Sequence, residues 1–237
     1  NYTEVNGAFR NSAQIYATSP NPDLKPETSI GVELGLRLRT STLSGQFAVF
    51  DNRYKDFIDN VRLNCPSDPK CVNVGGTPYT TYMSRNISNV RIWGAEVKGA
   101  WEFSRNWRVD GALAYAHGEN TETGVALNSV EPLRASLGLA YDTGRWGGEG
   151  RIRAAQGKQR IDDSGGLFFK TPGYAVTDLA VWFRPTKSTQ IVAGINNLFD
   201  QKYWLWGDIR QADTSLRGVD FYTQPGRNFR LSFQADF

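Results

Sequence analysis

Few side chains in this 237-residue chain have the type and spacing to do chemistry. The single histidine, His117, stands beside Gly118 and Glu119. An imidazole near a carboxylate can act as a base, but covalent hydrolysis also needs a nucleophile within its reach. No Ser-His-acid set can be assembled around it from the sequence. The only cysteines, Cys65 and Cys71, lie six apart among Pro66, Asp68 and Pro69. Metal binding would take further histidine or cysteine ligands close by, and that stretch offers none. A disulfide is the other use of such a pair, provided that the segment sees an oxidising compartment. The net charge is +3 with no basic run, so nucleic-acid binding is unsupported.

The elements that must carry these residues are strands. Phe229, Leu231, Phe233, Ala235 and Phe237 alternate with Arg230, Ser232, Gln234 and Asp236 to the end of the chain. Strand side chains alternate faces, so one face is apolar and the other polar. The pattern recurs. Ile30, Val32, Leu34, Leu36 and Leu38 oppose Glu33, Arg37 and Arg39. Trp93, Ala95, Val97 and Trp101 oppose Glu96, Lys98 and Glu102. Trp107, Val109, Leu113 and Tyr115 oppose Arg108 and Asp110. Ala135, Leu137, Leu139 and Tyr141 oppose Arg134 and Ser136. Ile152 and Ala154 oppose Glu149, Arg151 and Arg153. Ala175, Leu179, Val181 and Phe183 form a further face, and Ile191, Ala193, Ile195 and Phe199 another. With Phe47–Tyr54, nine strands are predicted.

A soluble sandwich turns its charged faces out, whereas a membrane barrel turns its apolar faces to lipid. Strand length and connections separate the two. The readable strands match the ~9–11 residues that span a bilayer at a tilt better than the globular mean of about five or six. Short connections near Thr40–Ser44, Ser104–Asn106, Asp142–Gly147 and Pro185–Ser188 alternate with long ones near Asp59–Tyr82, Gly118–Glu131, Asp162–Pro172 and Gly207–Gln224. Outer-membrane barrels show that asymmetry, with tight periplasmic turns and long outer loops. The expected fold is an all-β, antiparallel transmembrane barrel wall in outer-membrane lipid. Cys65 and Cys71 then fall in an oxidising outer loop and form a disulfide, and His117 falls at the outer rim, as a solvated residue or a ligand contact.

The mean hydropathy of −0.46 does not oppose this, since a polar inner face and polar loops produce it. Aromatics near strand ends (Trp101, Trp107, Tyr115, Tyr141, Trp182, Tyr203 and Trp204) suit interfacial girdles. No signal peptide opens the chain, and nine strands do not make a single-chain bacterial barrel, whose number is even. The expectation is the C-terminal portion of a larger barrel, with residues 1–28 as an outer loop and 29–237 as wall.

Asn21-Pro-Asp-Leu-Lys-Pro-Glu27, just before the first strand, resembles the asparagine-proline box of TonB-dependent outer-membrane receptors. Ile92-Trp-Gly-Ala-Glu-Val97, Gly194-Ile-Asn-Asn-Leu-Phe-Asp-Gln-Lys-Tyr203 and the terminal Phe237 resemble further marks of that family. The resemblance implies a barrel of about 22 strands, an upstream plug, and energy supplied through TonB as partner. Val5–Phe9, Ala13–Tyr16 and Leu127–Arg134 resemble the haem and haemoglobin receptors within it, although Phe9-Arg10 is a poor copy of their upstream box. In that subfamily the loop before the box supplies a histidine or tyrosine to haem iron. Here Tyr16 stands at that place, so the resemblance implies Tyr16 as the axial ligand, holding metal only through haem iron. Tyrosinate is a haem ligand elsewhere. Tyr2, Arg10 and His117 are the further candidate contacts. No intrinsic cofactor is expected: haem, free or on a carrier protein, is cargo. A ferric-siderophore receptor of the same family is the alternative, and a passive porin or outer-membrane enzyme is a third class.

Overall fold

The structure is a computed structural model and describes residues 5–13, 15–164, 166–210, 212, 214 and 218–235. Tyr2 and the last residues of the terminal pattern, Asp236 and Phe237, lie outside the described residues. Nine long strands form one antiparallel wall: β3 (Thr28–Arg39), β4 (Leu43–Arg62), β7 (Thr80–Ser104), β8 (Trp107–Asn120), β9 (Arg134–Asp142), β10 (Trp146–Ala155), β11 (Tyr174–Thr186), β12 (Thr189–Asn196) and β13 (Asn228–Ala235). They lie in that order, each hydrogen-bonded to the next. Two short strands, β1 (Phe9–Asn11) and β2 (Tyr16–Ser19), precede them within the segment expected as a loop. A small hairpin, β5 (Asn73–Val74) and β6 (Thr77–Pro78), sits between β4 and β7.

The register turns the alternation into two continuous faces. Leu36, Phe47, Val97, Leu113, Ala135, Ala154 and Ala175 lie side by side across seven strands. Such residues stay exposed at mid-wall: Leu137 at 54% and Val181 at 59%. A contiguous apolar surface of this size needs an apolar neighbour, and here that neighbour is lipid. The other face is polar and concave. Arg37, Arg39, Gln46, Lys98, Arg108, Asp110 and Arg151 line a recess of about 810 Å³ at its turn end. Cross-strand ion pairs lace this face: Arg151 to Asp110 at 2.9 Å, Arg153 to Asp178 at 2.9 Å and Arg184 to Asp142 at 3.0 Å.

The turns 40–42, 105–106, 143–145 and 187–188 are short, and the connections 63–79, 121–133, 156–173 and 197–227 are long. All the long ones fall at one end. On the apolar face beside the short turns, Trp101, Phe103, Trp107, Tyr141 and Trp146 form an unbroken chain of ring contacts. That is an interfacial girdle. Three expected girdle members belong elsewhere. The Trp182 indole N–H donates to Asp142 Oδ2 on the concave face, because its position alternates with Val181 and Phe183. Tyr203 is buried against Tyr174, and Trp204 packs on Phe169, both among the long connections. Phe199 also leaves its predicted strand. Asn197 and Asp200 take positive φ, 52° and 55°, which closes a turn directly after β12. The Asn197 amide holds that turn to Gln201 and Pro225, and Asp200 Oδ1 accepts the Arg227 N–H at 2.7 Å.

Among the described residues, a hydrophobic core exists only at the outer end. Leu63, Tyr79, Leu127, Val130, Phe168, Trp206 and Ile209 are all buried there. Asn128 is its polar centre. Its amide donates to Asp162 O and accepts from Asp162 N–H, both at 2.8 Å, while its carbonyl accepts the Trp206 indole N–H. Three long connections are thus tied together.

Candidate ligand-binding site

The strand β7 is far longer than a bilayer requires, at 25 residues against about 9–11. Its outer part pairs with β4 up to Arg62↔Tyr82, so the hairpin stands above the wall as an arm. Alternation changes phase at the foot of this arm. Asp56 has a φ of 54°, and Tyr54 and Phe57 then pack on the same cluster around Val90, Leu127 and Val130. The strand β2 runs parallel to the arm, pairing Tyr16↔Thr80 through Ser19↔Met83, and β1 pairs antiparallel with β2.

This placement sorts the candidates. Tyr16 is half-buried, its ring 5.7 Å from that of Phe9. It shares a face with its register partners Asn11 and Thr80. Arg10 is exposed and pairs with Ala17, so it occupies the opposite face of this small sheet from Tyr16. The Ala17 face is the covered one: Ala17, Thr81 and Met83 are buried.

The connection 63–79 supports this sheet. Cys65 and Cys71 form the expected disulfide, with Cα atoms 5.7 Å apart. The Thr81 hydroxyl accepts the Val72 N–H at 2.9 Å, and the Tyr79 hydroxyl donates to Ser12 Oγ. Asp68 accepts the Lys70 N–H and pairs with Arg85 on the arm. That backbone donor, then the guanidinium, holds the Asp68 carboxyl below the usual carboxylate range.

His117 lies well away from Tyr16, on the convex face of β8. It stacks on Trp93 with ring centres 5.3 Å apart, and its Nε2 lies 3.3 Å from Glu119 and 3.1 Å from Arg160. Arg160 also pairs with Glu119 at 2.6 Å and donates to the carbonyls of Gly118 and Gly124. The structure therefore uses His117 to fasten the connection 156–173 to the wall and does not bring it to Tyr16. The alternation Leu113, Tyr115, His117 already carried that signal. Leu127–Arg134 is likewise packed rather than presented. A β-carbon at Gly118 would meet Val130 Cγ2 at 2.5 Å and a Leu127 methyl at 3.0 Å. Lys158 caps this region, donating to Val130 O at 2.8 Å above the Trp206 ring. Its burial, with Arg160 near, pushes its ammonium below the usual lysine range. Sequence reasoning does not reach Arg160, and it names Asn128 only within the Leu127–Arg134 segment and not as a hub, since both act across tens of residues.

The outer end thus carries a half-buried phenol on a short sheet that stands beyond the wall. The comparisons with known proteins bear on the wall as a whole. A family model described as "TonB dependent receptor-like, beta-barrel" matches residues 1–198.

The chain belongs to the TonB-dependent receptor family.

Its segment is accordingly outer-membrane β-barrel. Among relatives, it is 26% identical over 251 residues to Hemoglobin-haptoglobin-binding protein A of Haemophilus influenzae, covering 94% of this chain and 24% of that protein. It is 28% identical over 227 residues to the Iron-regulated outer membrane virulence protein of Vibrio cholerae, covering 90% and 33%. Among solved structures, the copper transporter OprC superposes with a TM-score of 0.77 at 26% identity, over 92% of this chain and 32% of that one. The ferric enterobactin receptor of Pseudomonas aeruginosa superposes with a TM-score of 0.70 at 24% identity, over 93% and 33%. The chain spans about a quarter to a third of the proteins it matches.

Proposed function

We propose that this chain is the outer-wall portion of a haem receptor. The receptor imports haem, free or from a haem-carrying protein, across the outer membrane with energy supplied through TonB. Tyr16 is its axial ligand to haem iron. The observation that carries the substrate is the 26% identity, along 94% of this chain, to a Hemoglobin-haptoglobin-binding protein. The arm supports the residue: β2 fixes Tyr16 at the outer end, half-exposed, on the face away from the disulfide connection. A phenolate is a hard anionic oxygen suited to ferric iron, and binding would release the phenol proton. Haem enters as cargo, and the chain acts as a receptor rather than an enzyme.

The test is Tyr16→Phe in the intact receptor, titrated with ferric haem. The substitution keeps the ring contact with Phe9 and removes the oxygen. The expected result is a shifted ferric-haem spectrum and an affinity loss of about tenfold or more, with normal membrane yield. An unchanged spectrum and affinity would remove Tyr16 from the ligand set and favour a ferric siderophore as cargo.

A further inference from the structure

We propose that Asn86 is a positioning residue for the Tyr16 segment, acting through the asparagine-proline box and touching neither Tyr16 nor ligand. The box must cross the arm. The strand β2 lies along the β7 side of the β4–β7 hairpin, whereas β3, next in sequence, pairs with the far edge of β4. Pro22 and Pro26 cannot donate to a ladder, so the stretch between them spans the hairpin as a strap instead of joining the sheet.

Three side chains fasten the strap. Asn21 Nδ2 donates to Ser84 O at 2.9 Å. Glu27 Oε2 accepts the Ile58 N–H at 2.9 Å. Between them, Asn86 binds Lys25 as a neighbouring strand would. Its Oδ1 accepts the Lys25 N–H at 2.8 Å and its Nδ2 donates to the Lys25 carbonyl at 3.0 Å. A primary amide presents the same donor and acceptor as a peptide group. The second Nδ2 hydrogen goes to Asp56 O at 2.7 Å, at the residue whose positive φ shifts the phase of the arm. Asn86 thus joins strap, β7 and β4 at one point.

The consequence for Tyr16 follows from the shortness of β2. It pairs with the arm over four residues only, in the slightly weaker parallel mode. So brief a ladder holds its place through what fixes its ends. One end is held where Thr80 N–H donates to Ile15 O at 3.0 Å. The other runs through Pro20 into the strap. Releasing Lys25 from Asn86 leaves the strap held only through Asn21 and Glu27 at its two ends, which loosens the Tyr16 strand.

The functional part of this inference rests on the reading of Tyr16 as a haem ligand, so the experiment measures position and ligation separately. The intact receptor and its Asn86→Ala, Asn21→Ala and Tyr16→Phe variants are compared without ligand by hydrogen exchange, then titrated with ferric haem. In Asn86→Ala, amide exchange across residues 16–19 should rise about tenfold while β10 and β11 are unchanged, since a few net hydrogen bonds are lost. Haem affinity should fall about tenfold, yet the spectrum at saturation should match wild type, because the phenol still reaches iron once haem is bound. Tyr16→Phe should do the reverse, shifting the spectrum without changing exchange. Asn21→Ala leaves the hairpin and the Asn86 bonds intact and should raise exchange in the same residues, which tests the strap itself. If Asn86→Ala fails to insert, Asn86→Asp, which keeps the acceptor for the Lys25 N–H and loses both donations, should raise exchange there by a smaller factor. Wild-type exchange at residues 16–19 in the strap variants overturns the proposal. Faster exchange there with a spectrum unmoved by Tyr16→Phe upholds Asn86 as the positioning residue and overturns the haem-ligand reading instead.

Discussion

The wall and the outer layer of this molecule solve opposite problems with the same chain. On the wall, leucines and valines such as Leu137 and Val181 are more than half exposed, and the polar side chains line the concavity. In the outer layer, Leu127, Trp206 and Ile209 are buried, at 2%, 3% and 1% exposure. Among the described residues, every buried large hydrophobic lies in a long connection or in the outer part of a strand. The wall is therefore held by its backbone ladder and by lipid, because lipid offers no alternative partner for N–H and C=O groups. The outer layer is held by apolar burial from water, as a soluble domain is. A change that harms one region should spare the other.

The sharpest way to break this contrast is in the outer core. Leu127→Ala removes a buried side chain packed with Val90 and Val130. It should cost the outer layer about 2–5 kcal/mol. Limited proteolysis of residues 121–133 in membranes should accelerate while membrane yield stays normal. Lost yield would mean that the outer layer directs barrel assembly.

The converse experiment pairs Leu137→Arg with Ser136→Arg. These adjacent positions lie on opposite faces of β9, with Leu137 beside Ile152 and Ser136 beside Arg153. A charge on the lipid face near mid-height costs roughly 2–4 kcal/mol, whereas one on the wet face costs little. Membrane yield should drop for Leu137→Arg alone. Equal yields would erase the assignment of the two faces.

The smallest expected effect sharpens the comparison by its locality. The Cys65–Cys71 bridge closes a loop of six-residue separation and should contribute about 2 kcal/mol by constraining the unfolded chain. Cys65→Ser with Cys71→Ser should raise hydrogen exchange in residues 63–79, and to a lesser degree in β1 and β2, which the loop covers. The wall should not respond. Mass analysis without reductant should show no free thiol at Cys65 or Cys71.

Much of this was legible in the sequence because a strand side chain's face is set by a two-residue period. The alternation locates all nine long strands, sorts the faces of eight of them, leaving Phe47–Tyr54 unsorted, and marks the side of the short turns. The same local rule placed Cys65 and Cys71 in one long connection, close enough to bridge. Where the chain bends that rule, parity or backbone overrides residue type. Residue type groups Trp182 with the girdle aromatics, but its parity puts it on the concave face. Apolar spacing extends the strand to Phe199, but the positive φ of Asn197 cuts it short. The candidate site was less legible. Tyr16 was found by resemblance, but its seat on β7 lies 64 positions away in the chain, at Thr80. The phase change at Asp56, the parallel pairing of β2, the Asn128 hub and the Asn86 fastening all depend on which distant backbone groups meet. Alternation is decided between neighbours and is written in the sequence. The seating of the outer connections is decided by burial and hydrogen bonds among segments far apart, and only the tertiary structure brings those together.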